Sequence, residues 1–330
     1  MIFKKIRLIF ILYFSLHSLS SATSSVLENY KLNGTVLLGD FLSISYVHRH
    51  ITPNNETVVY FKHNADGIEG LYSVPIDGSK DPVELTNSLK VSGAHLIISS
   101  DSIYVLFLSE NGESGERSLY SVRIDGSEAP KLLLSPTDSA RQFSLAHSKI
   151  SPNGKNVAVV FRNDIYIVPI DGSTNAKILN DSTNNIIESV SSLFSPDGTR
   201  LIFSESFFGE ETYNISSILI DGSSIPDNIS GPFAKSERFN GTLIKVSNNN
   251  VIFHVDENDN GFLELFSSSI DGTKAVVKLN TALGPNEEVL GSDIEISSDG
   301  ATVVFTVTNN DDSIFSEAIS LFSVPIDGAS

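Results

Sequence analysis

The sequence contains no cysteine, no tryptophan and only one methionine. Without cysteine there are no disulfides, no thiolate metal sites and no Cys nucleophile. A lipoprotein anchor is excluded too, because it needs a Cys at the cleavage point. Basic residues are scarce: 22 Lys and Arg stand against 40 Asp and Glu, for a formal net charge of −18. Such a surface repels phosphate backbones and anionic lipid, so nucleic-acid binding and membrane adsorption are disfavoured. The charge reads either as solubility or as attraction for cations and basic partners. No P-loop, dinucleotide-binding glycine pattern, HExxH or G-x-S-x-G elbow occurs. No long charged or Pro-rich stretch points to general disorder.

What is present is apolar and aromatic: 40% hydrophobic residues, with 20 Phe and 9 Tyr, enough for a sizeable core. The first 22 residues stand apart. Lys4, Lys5 and Arg7 precede an apolar stretch over 8–19, and Ser20-Ser21-Ala22 offers small residues to a signal peptidase. This reads as a secretory signal, with an uncleaved anchor as the alternative. Loss of its three positive charges takes −18 to −21. No later stretch is long and apolar enough for a transmembrane helix.

The dominant feature is a repeat. LYSVPIDGS at 71–79 returns as LYSVRIDGS (119–127), IYIVPIDGS (165–173), SSILIDGS (216–223), LFSSSIDGT (265–273) and LFSVPIDGA (321–329). The aspartates Asp77, Asp125, Asp171, Asp221, Asp271 and Asp327 are 48, 46, 50, 50 and 56 residues apart. Each copy predicts a strand entering a tight turn, because Asp-Gly tolerates positive φ. Six aspartates also suggest a calcium ring, but turn chemistry accounts for them. Before each copy lies a polar turn feeding an apolar strand: SPNGKNVAVVF (151–161), SPDGTRLIF (195–203), SSDGATVVF (297–305) and looser versions at 52–61, 99–107 and 247–253. A strand precedes that turn and a short one follows the Asp-Gly. No amphipathic helix of ten or more residues is evident. Four strands about every 50 residues predict blades of a β-propeller, near 41–87, 88–135, 136–181, 182–231, 232–280 and 281–330.

The last repeat stops just after its Asp-Gly, so the sixth blade lacks a fourth strand. Tyr30-Lys31-Leu32-Asn33 matches Val277-Lys278-Leu279-Asn280, the fourth strand of the fifth blade. The expectation is a ring closed by residues 30–34 pairing with the C-terminal blade, after a linker at 23–29. The alternative is that 23–40 is a loose linker.

The S-P-D-G hairpin, the aromatic-ended strand and the (L/I)Y-V-x-I-D-G strand resemble the WD40-like repeats of TolB-type propellers. The match spans residues 30–330. Asp197-Gly198 and Asp299-Gly300 fit best, while Asn54-Asn55, Asp101-Ser102 and Asn248-Asn249 depart from it. The resemblance implies an all-β, six-bladed propeller of four-stranded blades, exported to the periplasm or exterior of a bacterium. It does not carry TolB's own partnerships, because those proteins place an α/β domain before the propeller.

One constellation points to chemistry. Four residues before the Ser or Thr of each first turn, the column reads His48, His95, His147, Ser191, Leu243 and Asp293. Closure of the ring would put His48, His95, His147 and Asp293 on four consecutive blades, around an axial channel. Three imidazoles and a carboxylate suit a divalent metal such as Zn²⁺ or Mn²⁺. This resembles the His-ringed metal sites of oligogalacturonate lyases, and implies a metal that acidifies the proton beside a uronate carboxylate. Arg49 and His50 would assist with an anionic sugar. The alternative is repeat inheritance, each His bonding a neighbouring strand. The sequons at Asn33, Asn55, Asn180, Asn214, Asn228 and Asn240 read as chance in an Asn-rich chain.

The leading functional expectation is a non-catalytic binding module, a monomer holding a protein, peptide or glycan at one face, with no cofactor required. The loops at 110–117 and 309–318 are its candidate contacts. A metal-dependent carbohydrate-active enzyme is the alternative.

Overall fold

The computed structural model describes residues 49–328, less 65–66, 93–94, 112–115, 136–143, 162, 181–184, 208–211, 232, 235–243, 248, 258–261, 285 and 310–318. The leader (1–22), the linker (23–29), the closing segment (30–34) and His48 therefore lie outside the described residues.

Six antiparallel sheets follow one another along the chain. We letter their strands A to D. The first runs Arg49–Ile51, Thr57–Asn64, Gly67–Pro75, Val83–Glu84, and the second Ile97–Ile98, Tyr104–Asn111, Glu116–Arg123, Lys131–Leu134. The third runs Ser148–Ile150, Asn156–Phe161, Asp164–Pro169, Lys177–Ile178. The fourth runs Asn185–Phe194, Arg200–Phe207, Thr212–Leu219, Asp227–Asn228, and the fifth Ile244–Val246, Asn250–Val255, Glu264–Ser269, Val277–Lys278. Two departures from the expected pattern occur. In the fourth sheet a further strand, Phe233–Ala234, also pairs with strand C. In the sixth, strand A is split into Glu287–Val289 and Glu295–Ile296, both paired with Thr302–Asn309, while Ile319–Pro325 forms strand C.

Strand B explains how the sheets stack. Successive side chains point to opposite faces, and here both faces are buried. Val105 and Phe107 join Val59 and Phe61 of the first sheet, while Leu106 and Leu108 join Val157 and Val159 of the third. Ala158 and Val160 meet Leu201 and Phe203; Ile202 meets Val251 and Phe253; Ile252 meets Val303 and Phe305. The near-continuous apolar runs are thus read alternately by the sheet before and the sheet after. Five of these Phe (61, 107, 203, 253 and 305) are among the largest fully buried side chains.

Both repeated turns have one construction each. In the A–B turn, the Ser195 Oγ donates to Asp197 Oδ1 (2.6 Å) and accepts from Arg200 N (2.9 Å), while Thr199 N donates to Asp197 Oδ1 (3.0 Å). Thr52, Ser99, Ser151 and Ser297 repeat the hydroxyl's bond to the side chain two residues on. Asn55 and Ser102, where the motif loses its glycine, adopt φ of 60° and 62°, close to the 71° of Gly198. The turn geometry therefore prevails over the side chain, at a cost of about 1–2 kcal/mol for left-handed backbone.

In the C–D turn each aspartate accepts from the backbone N–H two residues on, at 2.8–3.1 Å across Asp77, Asp125, Asp171, Asp221 and Asp271. The following glycine sits against strand D, or the residue just after it, of the preceding sheet. A Cβ on Gly126 would stand 2.5 Å from Val83 Cγ1; Gly172 faces Lys131, Gly222 faces Lys177, Gly272 faces Ile229 and Gly328 faces Val277. Two opposite results follow. Asn55→Gly should raise stability by about 1 kcal/mol, whereas Gly126→Ala should lower it by about 2 kcal/mol through φ and overlap together. Chemical denaturation of both variants checks the pair.

Candidate functional site

Most residues that suggested chemistry are engaged in architecture. Asp77, Asp171, Asp197, Asp221, Asp271 and Asp299 are held below the usual carboxylate range chiefly by the hydroxyl or backbone donors of their own turns. Asp125 is lowered further, first by the Arg123 guanidinium, which bonds it at 3.1 Å. Their oxygens face inward to the turn, so they are turn acceptors rather than a calcium ring. The sequon residues Asn180 and Asn214 are buried.

A device that sequence reasoning missed stands nine residues after the repeat aspartate. Asn180 Oδ1 accepts from Ile165 N (2.7 Å), Asn280 Oδ1 from Leu265 N (2.7 Å) and Ser230 Oγ from Ile215 N (2.8 Å). Each satisfies the first inner N–H of strand C that strand D is too short to reach. The signal was the recurring spacing from Asp171, Asp221 and Asp271 to Asn, Ser and Asn.

Among the described residues, the His and Asp of the column lie outside the regular strands, whereas Ser191 lies on strand A of the fourth sheet. His147 ends the 3₁₀ turn Leu145–His147 and Asp293 ends the 3₁₀ turn Gly291–Asp293. His147 N bonds Ser144 O and Asp293 N bonds Leu290 O, both at 3.1 Å. His95 lies in the irregular segment before Ile97–Ile98. His95 and Asp293 are exposed and His147 is half-buried. Among the described residues no group of three or more His, Asp or Glu could hold one metal ion; His48 is not among them.

Two pockets sit between neighbouring sheets. One, of about 320 Å³, lies between the fourth and fifth and is bordered by turn residues such as Asp197, Asp271 and Lys274. Its Arg200 is already committed to Asp227 and to Ser217 Oγ (2.7 Å). The other, of about 420 Å³, lies between the second and third sheets and is lined by His95, Arg117, Lys149, Leu96, Leu108 and Leu145, among others. It takes in His95 of the column and Arg117, the last residue of the 110–117 hairpin.

A buried histidine outside the column is set apart by its surroundings. His254, on strand B of the fifth sheet, is pushed down to about 4 by burial, and its Nδ1 has no hydrogen-bond partner among the described residues. Gly291 of the sixth sheet's 3₁₀ turn lies against the ring: a Cβ there would stand 2.5 Å from Cε1.

No protein-family model matches the chain, and no curated protein does. Solved structures do. Dipeptidyl peptidase 4 of Porphyromonas gingivalis is 11% identical with a TM-score of 0.53, over 84% of this chain and 45% of that one. An oligogalacturonate lyase from Vibrio parahaemolyticus is 14% identical (TM-score 0.48), over 86% and 78%. TolB from Acinetobacter baumannii is 13% identical (TM-score 0.38), over 83% and 62%. At these identities the likenesses speak to the fold alone, a succession of antiparallel, mostly four-stranded sheets as in a β-propeller. Among the described residues no helix is long and apolar enough to cross a membrane.

Proposed function

We propose that the protein is an exported, monomeric, non-catalytic binding module, a closed six-bladed propeller that holds a protein, peptide or glycan at one face. The observation that carries this reading is the division of labour among polar residues. The repeat carboxylates are bound up in turns, whereas the basic side chains of His95, Arg117 and Lys149 border a pocket between the second and third sheets. Export follows from the leader at 1–22 and agrees with an acidic surface free of cysteine.

Closure is supported by both ends of the stack. On the first sheet Val58 and Tyr60 point away from the second sheet yet are buried, with Val74 and Tyr72. On the sixth sheet Thr306 and Thr308 are likewise buried on the face turned from the fifth. Joining these two faces completes the ring. Strand C of the sixth sheet meanwhile exposes 73% of Leu321, whose counterparts Leu71, Leu119 and Leu265 are buried. In the other sheets strand D lies there, the place that the sequence leads one to expect for residues 30–34.

The binding reading is tested on peptide and glycan arrays with the protein lacking residues 1–22. Saturable binding with the ligand recovered intact is expected. Ligand recovered cleaved would favour the metal-dependent alternative, as would a divalent ion that co-purifies with the wild type and is lost from His48→Ala/His95→Ala.

A further inference from the structure

We infer that the pocket between the second and third sheets binds a carboxylate carried on an apolar body. The inference deepens the binding-module reading by giving its ligand a place and a charge. The chain has 40 acidic residues and 22 basic ones. Yet Arg117, His95 and Lys149 line this one pocket, and among the described residues no Asp or Glu lines it. A random patch of so acidic a surface would have the opposite balance.

Arg117 is the residue that calls for an anion. It sits on strand C of the second sheet, directly across from Glu110 on strand B. That carboxylate is bonded by Lys90 Nζ at 2.6 Å and by Ser92 Oγ at 2.9 Å, and the Arg117 charge is the smallest of the influences that lower it. Arg117 Nε is buried and makes no hydrogen bond among the described residues. A buried guanidinium donor left unpaired is costly, and its planar fork matches a two-oxygen acceptor. A ligand oxyanion supplies the missing acceptor, with charge-assisted bonds of about twice the strength of neutral ones.

The remaining walls select what carries the anion. Leu96, Leu108 and Leu145 are buried side chains that reach the pocket, so its floor is apolar. About 420 Å³ lies within the range of small-molecule sites. A free phosphate would leave that floor wet, whereas an aliphatic acid covers it and places its carboxylate at Arg117 and Lys149.

Ligand-observed NMR titration of the protein lacking residues 1–22 tests this, with hexanoate as the probe and hexanamide and inorganic phosphate for comparison. Hexanoate should bind about tenfold or more tightly than hexanamide, which has the same shape without the charge. It should also bind more tightly than phosphate. Arg117→Gln should lose about tenfold in hexanoate affinity, and Lys149→Gln should lose less. No hexanoate binding, or equal binding of hexanamide, overturns the inference; phosphate binding as tightly as hexanoate overturns the carboxylate assignment. Lys149→Gln and the hexanamide comparison keep the test decisive if Arg117→Gln does not fold. A partner found on the arrays that binds Arg117→Gln as well as wild type would overturn this pocket and leave the binding-module reading standing.

Discussion

Deletion of residues 23–35 should destabilise the protein by about 5 kcal/mol or more, a large part of the 5–15 kcal/mol available to a folded domain. The size follows from what strand D and its flank do elsewhere in the molecule. Leu85, Leu133, Leu179, Ile229 and Leu279 are each buried between adjoining sheets. Leu32 occupies the place of Leu279 in the matching segment, and truncating one such side chain alone costs about 2–5 kcal/mol. Deletion also removes the strand pairing that would cover Leu321. In addition it removes Asn33, the counterpart of Asn280, which would accept from Leu321 N as Asn280 accepts from Leu265 N. Thermal melting reads the result, with Leu32→Ala as a milder variant expected to lose about 2–5 kcal/mol. A deletion variant that melts like wild type would sink the closed ring.

Acid should weaken the fold in two separate windows, and the first belongs to His254. Burial lowers its folded value from 6.5 to about 4, so the unfolded chain binds the extra proton first. Stability is therefore constant above about pH 6.5, falls as pH drops toward 4, and levels off below that. The loss approaches about 3 kcal/mol, of which about 2 kcal/mol is already gone at pH 5. His254→Leu fills the same space between Leu265 and Gly291 with nothing to protonate. Its stability should be flat between pH 7 and 4.5, as read by urea unfolding at stepped pH. The second window opens lower. The turn aspartates are depressed, so their contribution is present above the ordinary carboxylate range and is lost as pH falls through their folded values. Both proteins should share that loss. A wild type as stable at pH 5 as at pH 7 would overturn the assignment to His254.

Much of the architecture was legible in the chain. The Asp-Gly recurrence located the C–D turns, and the short apolar run after each polar turn located strand B, because turn chemistry and apolar runs are local properties. The departures at Asn55 and Ser102 were legible as departures but not in their consequence. Only the folded turn shows that both residues accept the left-handed backbone a glycine would supply. The candidate site was far less legible. The His column is an alignment in sequence, and the chain puts His147 and Asp293 at the ends of short 3₁₀ turns but Ser191 on a strand. Spacing fixes equivalence between blades and says nothing about direction.

The pocket residues share no motif at all. Arg117 closes a hairpin in the second sheet, His95 precedes that sheet's first strand, and Lys149 belongs to the third. Nothing local in the sequence marks His254 as a side chain that a later glycine will cover. What the sequence determined by itself was the repeating unit and its turns, since those depend on residues a few positions apart. Which polar groups ended satisfied, and which were left buried beside a cavity, was decided only when one sheet was laid against the next, because burial and pairing depend on neighbours that are remote along the chain.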